Sequence, residues 1–169
     1  IAVIEETCQK KNATLHKTGI EKEECKIHFA KELELQVTAQ SIPQKISSTG
    51  SFFSYQGIHT HFDDLYICLA GMHQLANATV ALCTLEILNK KGFCTNEKDI
   101  RAGLSKVVHP GRLEIIHTNP TFVVDIAHNA MGARAIANAL TSIFDYDNLI
   151  VIIGVLHDKD VQGILRPFL

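Results

Sequence analysis

An aspartate, a histidine and an asparagine occur close together in residues 125–130, whose sequence is D-I-A-H-N-A. This stretch separates two segments whose apolar residues recur with different periods. Residues 121–124 (T-F-V-V) form a short apolar run rich in β-branched and aromatic residues, which predicts a strand buried on both faces. The residues that follow repeat with the spacing of one helix face, for about four turns: Ala133, Ile136, Ala137, Leu140, Ile143 and Phe144.

A carboxylate, an imidazole and an amide are therefore expected in a strand-to-helix turn. In a parallel α/β sheet such a turn lies at the carboxyl edge, where ligands bind. The start of the helix supplies free backbone N–H groups and the positive end of the dipole, which suit a phosphate or carboxylate. A plainer interpretation is that Asn129 only caps the helix and Asp125 only ends the strand. The local pattern leaves both interpretations open.

The composition is that of a globular protein. Of 169 residues, 46% are hydrophobic and 20% charged, enough for one domain or two small ones. A net charge of −2 gives no reason to expect nucleic acid or anionic membrane as a partner. The longest uncharged apolar run, residues 149–156, is too short to span a bilayer. We see no signal-peptide pattern, and five cysteines without a C-x-x-C pair favour reduced thiols in a cytoplasmic protein.

The chain begins with Ile1 and ends with Leu169, each inside a segment that looks amphipathic. We therefore expect a fragment of a longer protein.

The first part of the chain predicts a helix over residues 1–11 and a half-buried strand over residues 33–39, with a loop over residues 43–50. Two further strands are predicted over residues 52–55 and 65–69, with a turn near Gly57. The histidines at positions 59 and 61 would share a strand face, but no third ligand is evident, and a metal site is not favoured.

Two helices follow. The first is predicted to open after Gly71, to bury a stripe of leucines and alanines and to end at Gly92. Asn96 is expected to cap the second helix. Ile100, Leu104 and Val107 would form its inward face, and Pro110 and Gly111 would stop it. Because proline fixes one dihedral angle and glycine frees the next, residues 109–112 are predicted to be a hinge between domains.

The last part predicts a strand over residues 113–116, a second strand before the turn at Asp125, and a buried strand over residues 149–155. A last helix is expected to start near Asp160. This order is typical of a right-handed parallel βαβ unit. It would bring residues 125–129 beside residues 157–160 (H-D-K-D), although the latter could equally be a solvated loop.

Three common signatures are absent from the sequence: G-x-G dinucleotide spacing, the P-loop spacing G-x-x-x-x-G-K-[ST], and a G-x-S-x-G elbow. Four other stretches, in order, resemble motifs of the Mur ligase superfamily, most closely the folylpolyglutamate synthases and their dihydrofolate synthase relatives. They are residues 71–78 (G-M-H-Q-L-A-N-A), 110–114 (P-G-R-L-E), 125–130, and 154–160 (G-V-L-H-D-K-D).

The resemblance implies an α/β fold with two incomplete domains. Residues 1–108 would be the end of the central ATP-binding domain, residues 109–112 a linker, and residues 113–169 a truncated Rossmann-like C-terminal domain with a mostly parallel sheet. It also implies that the P-loop, the magnesium ligands and a carboxylated lysine lie upstream, so no metal ligand is expected in this fragment.

The implied reaction is ATP- and Mg²⁺-dependent addition of L-glutamate to the γ-carboxyl of a folate, through an acyl phosphate, with dihydropteroate as a possible further substrate. The implied protein is a monomer, and the fragment alone is expected to be inactive. Two alternatives are another Mur-type ligase of peptidoglycan synthesis and a noncatalytic nucleotide-binding module. A P-loop motif upstream of this chain would separate a ligase from a binding module.

By position, Asn77, Arg112 and Asp125 match ATP contacts of the family, and His128 matches an active-site histidine beside the acyl phosphate. Arg112 would bind phosphate with its guanidinium fork, and Asp125 would accept from a ribose hydroxyl. Each residue also has a structural alternative. Asn77 could satisfy helix backbone, Arg112 could form an interdomain ion pair, and His128 could cap or pack.

The stretch 125–130 departs from the family pattern D-G-A-H-N-P at two positions. Ile126 replaces a glycine, and a β-branched residue does not easily adopt a positive φ, so the turn could be shaped differently. Ala130 replaces a proline, which is favoured but not required in the first helical turn.

Overall fold

The computed structural model describes residues 2–16, 18–20 and 39–169. The first helix, α1, spans Ala2–Lys10, as predicted. The strand expected over residues 33–39 lies outside the described residues except for Ala39, as does Cys25. Among the described residues, no helix has both the length and the hydropathy that crossing a membrane would need.

A four-stranded sheet forms the centre of the first part, in the order β1-β2-β3-β4. Strand β1 spans Thr18–Ile20 and runs parallel to β2, which spans Ala39–Ser47. Strands β3 (Gly50–Gln56) and β4 (His61–Ile67) follow in antiparallel order, joined by a turn at Gly57, as predicted.

The loop expected over residues 43–50 is wrong, because β2 continues to Ser47. The pairing of β2 with β3 shifts register between Pro43 and Lys45. A proline has no N–H to donate to a sheet, and a bulge is a position where that donor is not needed. The proline therefore marks an irregularity within the strand and not its end.

Helices α2 (Met72–Lys90) and α3 (Glu97–Lys106) pack against this sheet. Gly92 follows α2 with a φ of 95°, and Asn96 caps α3 by accepting from the Asp99 backbone N–H at 2.9 Å. The end of α2 and the start of α3 agree with the prediction, whereas α3 ends at Lys106, before the predicted terminator at Pro110 and Gly111. The core between sheet and helices consists of Ala39, Phe53, Tyr55, Leu65, Ile67, Leu75, Ala78, Leu82 and Cys83.

The rest of the chain contains a two-stranded antiparallel sheet and two α-helices. The strands are β5 (Glu114–Thr118) and β6 (Thr121–Val124), and the helices are α4 (Ala130–Ile143) and α5 (Val161–Leu165). A short 3₁₀ turn, Arg166–Phe168, follows α5. Mixed helices and strands in both parts confirm the α/β class.

The parallel βαβ unit predicted for this part is wrong, and so is a mostly parallel sheet over residues 113–169. The described pairing there is antiparallel, and residues 149–155 form no strand. Ile150 and Ile152 are 86% and 92% exposed, and Phe122 of β6, expected to be buried, is 54% exposed. An apolar segment becomes a buried strand only where neighbours cover its edges and faces, and the described residues do not provide them.

A second, smaller core cluster joins the start of α2 to the C-terminal part. Its buried members are Ala70, Leu113 and Ala139, and the residues packed against it include Val123 and Ile136. Helices α2 and α4 also contact each other directly. This cluster brings residues 110–130 next to the beginning of α2, where the candidate site residues lie. The division into domains at residues 109–112 stays a prediction.

Candidate functional site

Asp125 connects the segment after residue 110 to the turn before α4. Its Oδ2 accepts a hydrogen bond from the Leu113 backbone N–H at 2.9 Å, and its Oδ1 accepts from the Ala127 N–H at 2.7 Å. The backbone N–H of Ile126 donates to the Gly111 carbonyl at 2.9 Å. Two hydrogen bonds therefore fix the carboxylate. The bond from Leu113 to Asp125 and the backbone bond from Ile126 to Gly111 hold the two segments together.

The unusual backbone conformations of this site lie in the linker and directly after it, and not in the turn. Gly111 has a φ of 68° and Leu113 a φ of 47°. Ile126 is absent from the positive-φ residues of the described chain, so the isoleucine is accommodated without left-handed backbone. A Cβ placed on Gly111 would lie 2.7 Å from Cγ2 of Ile126, which shows how closely the linker approaches the turn.

His128 and Asn129 have different surroundings. Asn129 caps α4, with its Oδ1 accepting from the Gly132 N–H at 2.8 Å, so the capping interpretation is confirmed for this residue. His128 is exposed, and its Nδ1 lies 3.3 Å from the Ile126 carbonyl oxygen. Its imidazole is thus at the surface, on the same turn as the fixed Asp125 carboxylate.

The second polar turn lies next to the first, as expected, although no parallel sheet aligns them. Asp160 caps α5 by accepting from the Gly163 N–H at 2.9 Å. A Cβ on Gly163 would lie 3.0 Å from the Cβ of Ala130, so the first turns of α5 and α4 are in contact. Lys159 forms a 3.0 Å ion pair with Asp158 at the surface.

The beginning of α2 approaches the linker through Gly71. This glycine has a φ of 100°, and a Cβ there would lie 2.8 Å from Cε1 of His73 and 3.1 Å from Cδ1 of Leu113. The imidazole of His73 therefore folds back over Gly71 towards the linker. Without a side chain at position 71, the helix start and Leu113 can come this close.

A chain of side-chain contacts leads from His73 along α2. Nε2 of His73 lies 3.1 Å from Nε2 of Gln74, and Oε1 of Gln74 accepts from Nδ2 of Asn77 at 3.0 Å. Gln74 is 3% exposed, whereas Asn77 is at the surface. Asn77 therefore donates to another side chain. This hydrogen bond does not satisfy a backbone group of the helix, which was the structural alternative for Asn77.

Electrostatic interactions link His73 to the other candidates. Burial lowers the pKa of His73 below its ordinary value of 6.5; the Asp125 charge opposes this effect and the Arg112 charge adds to it. Arg112 is half-buried, and no hydrogen bond or ion pair within the described residues engages its guanidinium. Arg112 and Asp125 thus act on the same imidazole, which connects through Gln74 to Asn77.

The sequence-based selection of site residues omitted His73 and Gln74. Both lie in the stretch 71–78 that was singled out, and their spacing to Asn77 places the three near one another on a helix. That spacing was the available signal, but the identity of each hydrogen-bond partner depends on the folded structure.

The described part of the chain contains no group of three histidine, cysteine or acidic side chains that could hold a metal ion. The histidine at the start of β4 is engaged otherwise. His61 contacts Gln56 through Nδ1 at 2.9 Å and Asp63 through Nε2 at 3.0 Å.

Comparison with known proteins identifies the kind of protein this site belongs to. Residues 111–168 match the Mur ligase glutamate ligase domain. The dihydrofolate synthase/folylpolyglutamate synthase of Mycobacterium tuberculosis is 39% identical over 125 residues, which is 72% of this chain and 26% of that protein. The enzyme of the same name from Bacillus subtilis is 30% identical over 118 residues, 69% of this chain and 27% of that protein.

Solved structures give the same result. Folylpolyglutamate synthase of Mycobacterium tuberculosis, complexed with ADP, matches with a TM-score of 0.81 at 30% identity, over 98% of this chain and 33% of that chain. The Thermotoga maritima folylpolyglutamate synthase matches with a TM-score of 0.70 at 31% identity, over 99% of this chain and 35% of that chain.

Residues 111–168 therefore form a domain of the Mur ligase family, and the chain as a whole is similar to the folylpolyglutamate synthases. The resemblance stated from the four motifs is confirmed. The chain spans 26% to 35% of the length of these four relatives.

Proposed function

We propose that the complete protein containing this chain adds L-glutamate to the γ-carboxyl of a folate, using ATP, and that it also accepts dihydropteroate. The observation that carries the proposal is the junction of three segments that the family motifs mark. The start of α2 with Asn77, the linker with Arg112 and the turn with Asp125 meet around His73. The names of the relatives and the ADP in the Mycobacterium tuberculosis structure support the choice of reaction.

The chemistry of two side chains suits a nucleotide. Arg112 has no hydrogen bond to the described residues, so its donors remain available for phosphate oxygens. A carboxylate offers about four acceptor positions, and the backbone N–H groups of Leu113 and Ala127 use two of those on Asp125. The remaining positions can accept from the hydroxyls of a ribose, while the backbone bonds already hold the group still.

The reaction requires activation of a carboxylate. The folate γ-carboxylate attacks the γ-phosphate of ATP, an acyl phosphate forms, and the amine of glutamate displaces phosphate through a tetrahedral intermediate. In our proposal Mg²⁺ neutralises charge on the phosphates, held by residues upstream of this chain. His128 would lie beside the acyl phosphate and the incoming amine, because it shares the turn with Asp125 and its imidazole is exposed.

Residues 1–108 are proposed to belong to the ATP-binding domain and residues 113–169 to the C-terminal domain, joined by the linker at 109–112. A hinge there would let the two parts close around the substrates and exclude water. We further propose a monomeric, cytoplasmic enzyme. The 169-residue chain alone should be inactive, because its ten glycines contain no P-loop spacing.

The test uses Arg112→Ala in the complete protein, with Arg134→Ala, an exposed arginine of α4, as the matched control. Losing a hydrogen-bonded charge typically costs about 1.5–3 kcal/mol, so the Michaelis constant for ATP should rise roughly ten- to a hundredfold in the first variant. The thermal midpoint should stay close to that of the wild type, since no hydrogen bond or ion pair within the described residues engages Arg112.

The assay measures ADP release that depends on a reduced folate and on glutamate, with the 169-residue chain as the negative control. An Arg112→Ala variant that melts several degrees lower yet keeps wild-type ATP kinetics would show a structural arginine. Binding of ADP without any glutamate-dependent turnover would favour the noncatalytic module.

A further inference from the structure

The contact between His73 and Gln74 determines which atom of the histidine carries a proton. The side-chain amide nitrogen of Gln74 lies 3.1 Å from Nε2 of His73, while its amide oxygen accepts from Asn77 at 3.0 Å. An amide nitrogen can only donate, so the Nε2 of His73 must accept. With the Gln74 amide in this orientation, the contact selects the neutral imidazole that carries its proton on Nδ1.

The surroundings of His73 support this protonation state. Burial lowers the pKa of His73, and the charge of Arg112 in the linker lowers it further. The charge of Asp125, in the turn before α4, acts in the opposite direction but does not reverse the shift. These two groups are the charges from the packed segments that act on the ring, and the net lowering of the pKa favours the neutral form of His73.

The direction of the hydrogen bonds continues through Gln74 to Asn77. Gln74 is 3% exposed, so its amide cannot exchange these partners for water at low cost. As long as Nε2 of His73 accepts, the oxygen of Gln74 points at Asn77. The Nδ2 of Asn77 then donates inwards, and its Oδ1 and second N–H are left for a ligand. A proton on Nε2 of His73 would require both amides to turn over.

We propose that His73 is a positioning residue, which acts through the buried amide of Gln74 to fix the orientation of the Asn77 amide that faces the nucleotide. The inference rests on the proposed nucleotide site and adds to it two residues that need not touch the ligand. Its chemical content is that an unprotonated Nε2 at position 73 keeps the Asn77 carbonyl oxygen available as an acceptor. Loss of the Nε2 acceptor of His73, by substitution or by protonation, therefore weakens nucleotide binding.

The experiment compares His73→Gln with His73→Met in the complete protein, using ADP as the probe in calorimetric titrations. The two replacement side chains have similar length, but only glutamine has an oxygen that can accept from Gln74 at the position of Nε2. At pH 7.5 we expect roughly three- to tenfold weaker ADP binding by the methionine variant, the worth of one neutral hydrogen bond. The glutamine variant should bind like the wild type. His59→Met, at an exposed loop position, is the matched control.

A pH series provides the second measurement and does not depend on the methionine variant folding. Wild-type affinity for ADP should decrease as the pH falls below 6.5 towards the lowered pKa of His73, because the protonated ring can no longer accept. His73→Gln should lack this part of the decrease. Protonation of the ADP phosphates affects both proteins equally, so the difference between their profiles belongs to His73.

The outcomes separate the two proposals. Equal ADP affinity of wild type and both His73 variants at all pH values would overturn the role of His73 and leave the nucleotide site standing. Equally weak binding by the glutamine and methionine variants would also overturn it, because the shape of the ring and not its acceptor would then matter. A wild-type protein that binds no ADP would refute the proposed function itself.

Discussion

The two parts of the molecule bury their apolar residues to very different extents. Around the four-stranded sheet, Phe53, Leu65 and Leu75 are each 0% exposed, and two helices cover the sheet. In the part after residue 112, the buried members of the core are fewer and smaller, and Ile150 and Ile152 are 86% and 92% exposed. Yet residues 149–156 contain an uninterrupted uncharged apolar run.

The difference shows that apolar composition gives a segment the capacity to be buried but does not provide the surface that buries it. Strands β2 to β4 are covered by one another and by α2. Residues 149–156 find no strand among the described residues to pair with. Exposed apolar patches of this kind mark surfaces that become covered in an assembly or in a larger fold.

The largest expected effect is on the first core. Leu75→Ala removes a fully buried side chain and should lower the free energy of unfolding by about 2–5 kcal/mol. Ile150→Ala removes an exposed side chain of similar size and should change it by less than about 0.5 kcal/mol. Urea unfolding of the 169-residue chain measures both.

Similar losses from the two substitutions in this chain would contradict the comparison. Measuring Leu75→Ala and Ile150→Ala in the complete protein as well sharpens the comparison between the two parts. A cost of Ile150→Ala that rises to the level of a core residue there would mean that sequence outside these 169 residues covers the exposed run.

A smaller effect is expected at the junction between the two parts. Gly111→Ala places a Cβ 2.7 Å from Cγ2 of Ile126 at a residue with a φ of 68°. Such strain costs about 1–3 kcal/mol. The matched control is Gly103→Ala in α3, where no atom lies within 4 Å of the new Cβ. It should stabilise the protein by about 0.5–1 kcal/mol through helix propensity. Equal midpoints of thermal unfolding for the two variants would argue against a strained junction.

The smallest effect is a pH dependence of stability. The pKa of His73 is lowered in the fold from its ordinary value of 6.5, so between the two values the unfolded chain binds more protons. His73 therefore contributes stability that is fully present above pH 6.5 and is lost as the pH falls through the folded pKa. Urea unfolding at a series of pH values should show a shallower slope in this window for His73→Gln. His59→Gln, in the exposed hairpin loop, should keep the wild-type slope, and a matching change in both variants would contradict the assignment.

Local sequence signals predicted much of the fold correctly. Gly92 after α2, and the caps Asn96 and Asn129, depend on backbone groups within a few residues, and the structure has each where expected. Pairing between distant segments was predicted less well. The strand through Pro43 and the exposed run at residues 149–155 both depend on what lies beside them, which periodicity does not report.

The same distinction applies to the candidate site. The motif at residues 125–130 pointed to Asp125. Its carboxylate accepts from two backbone N–H groups, one within the turn and one at Leu113, directly after the linker. His73 and Gln74 were not selected, because a buried amide and a neutral imidazole become informative only once their partners are known. Their roles, and those of Asn77, Arg112 and His128, are proposals.

The close contact between Gly111 and Ile126 also limits which pieces of related enzymes can be exchanged. The backbone bond from Ile126 to Gly111 fixes the distance between the two segments. The side chain of Ile126 therefore fits only because Gly111 has none. A chimera that takes the turn at 125–130 from this chain therefore needs a linker with glycine at position 111. The two segments should be inherited together, as a single module of about twenty residues that no crossover point divides without loss.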